Sequence, residues 1–450
     1  MRKVTPALST LYFLQFAVWG CYLTSLGQLL GAGGLGRDIA WFYAAVGFVS
    51  LVMPALAGHV ADRYVPSSRL LGICHLCASC AMLGAWLYAE SHQTMDFLPF
   101  FLIYLTFLIF YMPTLALGNA TAFALLKDRG LRPVDIFPRI RVWGTIGFVA
   151  AMWFVNCAYW HDGHFGMTLS EMNPYARYRF QYTPMMLLCT SVVGLATALY
   201  TLILPPTAVA RSGARGIRGI LGLDGFRLFK TGYIRTFLLL AVLSGVCLQI
   251  TNGFATPFIS HFLGEEPYGT SGVAANATLL FSLSQISEAA CVLLVGICMK
   301  RFGIRAVMIT ALVAWSLRFV LFAFGNPGPG LWMLVASMLV YGVAFNFFSI
   351  AGNIYIDQCT DPAHRGFGQG LLMLMTNGVG ASLGTIAAGA VVNSFCSWEM
   401  VALPSGQTAR LFMGDWMWPW LIFGCYALAV ALLYVIFFHP KRKSETFVKP

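Results

Sequence analysis

A chain of 450 residues that is 58% hydrophobic and 10% charged, with a mean hydropathy of +0.74, is not an ordinary soluble domain. Such a domain carries roughly 45–50% apolar and about 25% charged residues. No stretch has the alternating pattern of about ten residues that a transmembrane barrel needs, so membrane helices remain. The 45 glycines and 36 phenylalanines suit helices packed through small residues in lipid.

Met1-Arg2-Lys3 precedes an apolar run that continues to about Gly31 with no convincing small-residue cleavage site, so it reads as a retained first span and not a signal peptide. Apolar runs of about 20 residues, enough to cross a bilayer, fall at roughly 6–31, 39–61, 70–89, 97–126, 141–160, 183–204, 236–262, 273–299, 306–325, 331–356, 367–393 and 416–438. Twelve spans are expected, several bent at internal residues such as Pro54, Pro113 and Gly380. Of the 28 Lys and Arg, only Arg37, Arg177, Arg179 and Arg410 fall on one side, and Arg318 lies inside a span. All others fall in the alternate loops and at the termini, which puts both termini in the cytoplasm. The net charge of +11 is therefore topological and needs no nucleic-acid partner.

The basic connection between the sixth and seventh spans divides the chain into residues 1–205, a cytoplasmic linker 206–234, and residues 235–450 with a short tail. A turn recurs across it. Gly58-His-Val-Ala-Asp62-Arg63 follows span two, and Gly296-Ile-Cys-Met-Lys300-Arg301 follows span eight. Two six-helix halves with matching turns are the organisation of a major facilitator fold. In a gating role, the glycines would permit close helix approach and the charges would bind neighbouring helix ends.

Several motifs carry less than they first suggest. Gly31-Ala-Gly33-Gly34-Leu-Gly36 matches the dinucleotide fingerprint but follows a membrane helix, with no strand before it. Asn119-Ala-Thr121 and Asn276-Ala-Thr278 match the glycosylation pattern but sit at spans. The 12 cysteines scatter through the spans as small hydrophobes; Cys74, His75, Cys77 and Cys80 cluster but have no second ligand cluster, so packing is expected there and no metal or cofactor.

Glu288 is the one acidic residue deep within an apolar run, and a carboxylate at that depth normally faces a cavity or a partner. Gln285 lies one helical turn before it, on the same face. Span five offers Arg141, Thr145 and Phe148 along one face, with a snorkelling interface arginine as the plainer reading of Arg141. Span seven has the amide pair Gln249 and Asn252. Amides suit a ligand with hydroxyls and a heterocycle edge, although they also join membrane helices. Span ten holds Tyr341, Phe345 and Asn346, rings that could stack on a flat base or simply pack. Arg318 is expected to meet Glu288 or helix carbonyls, as a structural bridge, a gate or part of coupling.

Phe13-Leu-Gln15 with Trp19-Gly, Tyr111-Met-Pro-Thr114, Phe137 to Phe148, Leu221-Gly-Leu-Asp224, Leu248 to Asn252, Ser282 to Glu288, Ala314 to Phe319, Tyr341 to Phe348 and Met375-Thr-Asn-Gly378 closely resemble the bacterial nucleoside:proton symporters of the nucleoside permease G type. The resemblance runs from the first span to the last. It implies proton-driven uptake of purine and pyrimidine nucleosides across the bacterial inner membrane. By that resemblance Arg141, Thr145 and Phe148 line the N-terminal side of a central site. Gln249, Asn252, Gln285 and Glu288 then bond base and ribose, with Tyr341 and Phe345 beside them.

One position departs from the family pattern. An aspartate important for proton coupling is implied where this chain has Asn346, and an amide cannot take and release a proton. Either Glu288 carries the proton alone, or the chain is an uncoupled facilitator. The expected function is nucleoside:proton symport by a monomer in lipid, with nucleosides and protons as partners. The alternatives are a sugar or oligosaccharide transporter and a transporter-like receptor. No nucleophile, base and orienting partner cluster as an enzyme would need.

Overall fold

The computed structural model describes residues 4–170, 173–207, 232–359, 365–403 and 408–439. Most of the expected linker, the motif at Leu221 and the C-terminal tail lie outside them. The N-terminal bundle comprises α1 (Val4–Tyr22), α2 (Leu26–Ala32), α3 (Ile39–Arg63), α4 (Ser67–Ser91), α5 (Phe97–Asp128), α6 (Pro133–Cys157) and α7 (Met185–Ile203), with a hairpin of β1 (Ala158–His161) and β2 (His164–Met167) after α6. The C-terminal bundle comprises α8 (Gly232–His261), α9 (Gly272–Ala275), α10 (Ala277–Phe324), α11 (Leu331–Cys359), α12 (Arg365–Met373), a π-helical turn (Leu374–Gly380) and α13 (Ala381–Phe395). A second hairpin, β3 (Cys396–Ala402) with β4 (Thr408–Gly414), leads into α14 (Met417–Phe437).

Among the described residues, 11 helices are long and apolar enough to cross a membrane, and Ala277–Val292 is a shorter apolar helix. With it the twelve expected spans are accounted for. It runs on without a break in the helix toward Gly303. The helix α10 is two spans joined at Gly303, whose φ of 79° and ψ of 166° are open to glycine without a Cβ clash. The first expected span, 6–31, is likewise two pieces, broken between α1 and α2. Proline lies within α3 at Pro54 and within α5 at Pro113, as expected, while Gly380 closes the π turn.

In the N-terminal bundle α1 lies along α6 and α7, and α4 lies between α5 and α7. In the C-terminal bundle α10 packs on α11 and α14, and α8 on α13 and the π turn. The bundles meet where α3 touches α13 and the π turn, and where α6 touches α10. Gly20 and Gly147 set the depth of the α1–α6 contact. A Cβ on either would overlap the carbonyl of the facing chain, Phe148 and Phe13 respectively. That approach fixes the helix carrying Arg141, Thr145 and Phe148.

Candidate functional site

Arg141 is half-buried on α6, its guanidinium 4.1 Å from the centre of the Phe16 ring. It stands over an aromatic face as a desolvated cation, an arrangement worth more than surface snorkelling. Arg141 and Glu288 act on one another electrostatically across the two bundles with no direct ion pair between them. A space flanked by opposite charges on opposite bundles suits a polar, uncharged ligand that both can reach. Thr145 is half-buried one turn along α6. Phe148 is 5% exposed and belongs to the main apolar core.

On α8, Asn252 Nδ2 donates to Gln249 Oε1 at 2.7 Å, and both amides are half-buried. The pair orients itself and leaves the Gln249 amino group and the Asn252 carbonyl for other partners. On α11, Tyr341 and Phe345 stack with centroids 5.6 Å apart and planes 17° from parallel. Tyr341 also interacts with Gln285, Glu288 and Arg318, which makes it the hub of the C-terminal side. Phe345 lines a cavity of about 440 Å³ with Leu248, Ser349, Asn353, Thr376 and Asn377.

Asn346 is 5% exposed, and its Nδ2 donates to the backbone carbonyl of Glu288 at 2.6 Å. It joins α11 to α10 through its amino group, which leaves the amide oxygen for another partner. Only a donor can make this bond, so an ionised carboxylate could not replace the amide.

Arg318 is fully buried, with Nη1 donating to the Ser337 carbonyl at 3.0 Å and to Ser284 Oγ at 3.3 Å. Its guanidinium lies 4.6 Å from the Tyr341 ring centre and 5.3 Å from that of Phe322. Of the two partners expected for it, the helix carbonyl is present and the Glu288 ion pair is not. Tyr341 stands between the two charges, so Arg318 addresses the site through a ring.

The expected gating turns are apart from neighbours. A Cβ at Gly58 or Gly296 would meet nothing within 4 Å, so neither glycine serves close approach here. Arg63 lies 5.7 Å from the Tyr64 ring centre and Arg301 5.4 Å from that of Phe302, while Lys300 is exposed. The Asp62 side chain lies outside the described residues. The space around Gly58 and Gly296 is open.

The opposite end, which carries both hairpins, is closed. Asn276 Oδ1 accepts from Arg179 Nη1 and Asn156 Nδ2, each at 2.8 Å. The Ala275 carbonyl accepts from Arg179 Nη2, Gln181 Nε2 and the Tyr182 hydroxyl. Trp398 of β3 seats its indole against Gly31 and Gly36, where any Cβ would overlap it. The glycine-rich decoy of the sequence is therefore a landing surface. Asn276, 8% exposed with its side chain fully engaged, is no glycosylation acceptor in this state.

Comparison with known proteins decides the family. The family model described as "Nucleoside H+ symporter" matches residues 2–443. The chain belongs to the nucleoside:proton symporter family. The curated xanthosine permease of Escherichia coli is 35% identical over 447 residues, 98% of each chain. The nucleoside permease NupG of Escherichia coli is 36% identical over 439 residues, covering 97% of this chain and 96% of that one. A crystal structure of the nucleoside transporter NupG superposes with a TM-score of 0.81 at 34% identity, over 98% of this chain and all of the other. The xylose transporter XylE of Escherichia coli, at 12% identity and a TM-score of 0.59 over 96% and 98% of the chains, shares the major facilitator fold. This symporter-family chain is thus a multi-pass membrane transporter for nucleosides and not an enzyme.

Proposed function

We propose that the chain takes up purine and pyrimidine nucleosides across the bacterial inner membrane by alternating access, coupled to protons through Glu288. The observation that carries this is the half-buried Glu288 carboxyl within an apolar span, facing Arg141 across the bundle seam and flanked by Gln285 and Tyr341. Uncharged nucleoside fits between the charges, with ribose hydroxyls and base edge serving the amides of Gln249, Asn252 and Gln285, and Phe345 beside the base. Thr145 and Phe148 complete the N-terminal wall. Residues 1–205 and 235–450 act as the two rocking halves, joined by the linker 206–234, and a monomer holds the whole path.

The scarcity of Lys and Arg at the hairpin end puts that end outside and both termini in the cytoplasm. With the turn-bearing end inside, the cavity beside Phe345 serves as the release route. Protonation of Glu288 removes its attraction for Arg141 and makes the carboxyl a donor to bound substrate; loss of the proton inside restores the attraction. Arg318 takes part as a fixed charge behind Tyr341. Because Asn346 is bonded to the Glu288 carbonyl and cannot ionise, Glu288 is the single carboxyl at the site.

Uridine uptake into vesicles under an imposed proton gradient tests this. Uphill accumulation should collapse with a protonophore and be lost in Glu288→Gln, while exchange of internal for external uridine persists. Accumulation that Glu288→Gln leaves intact would refute the assignment. Equilibration indifferent to the protonophore in the parent chain would establish the second reading, an uncoupled facilitator, which the amide at Asn346 favours.

A further inference from the structure

The outer side of a membrane protein is depleted of basic residues, yet the most deeply buried arginine outside the spans is there. Arg179 lies in the loop between β2 and α7 and is fully buried. It spreads its donors over both bundles: Nε to the Ala176 carbonyl at 3.1 Å and Nη2 to the Tyr182 hydroxyl at 3.2 Å on its own side, then Nη1 to Asn276 Oδ1 at 2.8 Å and Nη2 to the Ala275 carbonyl at 3.0 Å on the other. The receiving element is built for it. The four-residue α9 ends at Ala275, whose carbonyl, without a partner inside the helix, accepts from Arg179, Gln181 and Tyr182. Asn276, at the corner between α9 and α10, turns its remaining face back to the N-terminal bundle, donating to the Leu169 carbonyl at 2.8 Å. Thr278 Oγ1 bonds Gln181 Oε1 at 3.0 Å below it.

We propose that Arg179 and Asn276 form the latch of the outer gate, and that breaking it is the step that reopens the empty transporter to the outside. They are positioning residues: neither reaches the substrate site, and they act through the equilibrium between outward and inward states. A planar guanidinium is suited to this, because its fixed fork serves several acceptors at once in one geometry and none in another. Opening must break the bonds that cross to Ala275, Asn276 and Thr278 together, which makes the closed state cooperative. The side chains then meet water in the opened vestibule, so the cost of breaking is moderated and the latch is reversible. Charged hydrogen bonds of this kind bias a two-state equilibrium by about tenfold.

The assignment of sides rests on the proposed orientation, and the test separates the two. In right-side-out vesicles, Arg179→Ala and Asn276→Ala should lower the apparent external KM for uridine by about tenfold and raise net entry relative to exchange, because more transporter waits outward. A membrane-impermeant maleimide should label Ser25→Cys, 2% exposed behind the latch, about tenfold faster in either variant than in the parent carrying the same added cysteine. That labelling needs no substrate, so it stands even if uridine is not carried. Unchanged KM, exchange ratio and labelling, with activity falling only in step with the protein in the membrane, would overturn the latch. Should Arg179→Ala not reach the membrane, Asn156→Ala removes a peripheral donor and should shift the same readouts in the same direction.

Discussion

The two ends of the bundle seam solve opposite problems with different chemistry. At the hairpin end, the bundles are joined by side-chain hydrogen bonds, by the Asn393 amide on the Arg37 carbonyl at 3.0 Å, and by Trp398 seated on glycines. At the other end, the bonds of Asn346, Ser244 and Tyr426 all stay within the C-terminal bundle. A transporter must make and break the outer seal in every cycle, and polar bonds suit that because water replaces them at small net cost. A large apolar seal of the same area would close once and stay closed.

The largest expected effect comes from spoiling the indole seat. Gly31→Leu places a branched side chain where the Trp398 ring lies, and overpacking of this kind costs about 1–3 kcal/mol. Uptake should fall roughly tenfold or more, measured as initial uridine entry. Normal entry would remove the hairpin from the seal. At the open end, Gly58→Leu and Gly296→Leu meet nothing in this state, so thermal unfolding in detergent should move little, by about 0.5 kcal/mol at most. Uptake should nonetheless drop several-fold if the turns approach the facing bundle when that end closes. Full activity in both would take the recurring turn out of the gating mechanism.

The smallest effect lies at the rim of the hairpin end. His261 beside Glu265, 3.4 Å away across an i, i+4 step, holds that carboxyl below the usual range through a hydrogen bond. A depressed carboxyl contributes stability above the unfolded pKa and loses it as pH falls through the folded one. Glu265→Gln should therefore lower the melting temperature slightly at neutral pH and make no difference in acid, with surface exposure keeping the effect small. Equal melting curves at neutral pH would show that the pair contributes nothing.

What could be read from the sequence follows the range of the interactions involved. Span positions and the polar faces of α6, α8, α10 and α11 follow from hydropathy and helical spacing, which are local, while the family comes through the resemblance of its motifs. Arg179 did not stand out because its partners, Ala275 and Asn276, lie nearly a hundred residues away and one of them is a backbone carbonyl. Asn276 looked like a glycosylation signal for the same reason. The hairpins read as loops, since Trp398 has meaning only against Gly31 and Gly36. Arg318 showed its burial in the sequence but not its company, because Tyr341 fills the place where an ion pair with Glu288 was expected.

The polar residues in the first half of α10 bear on how the protein is made. Gln285 and Glu288 oppose transfer of this segment into lipid. Its bonds run to α11: Asn346 holds the Glu288 carbonyl, Ser287 Oγ donates to the Leu339 carbonyl, and Gly342 lets the backbones touch. The ribosome delivers α11 some fifty residues later. The bonds that hold these polar residues in the bilayer therefore become available only once α11 has joined α10.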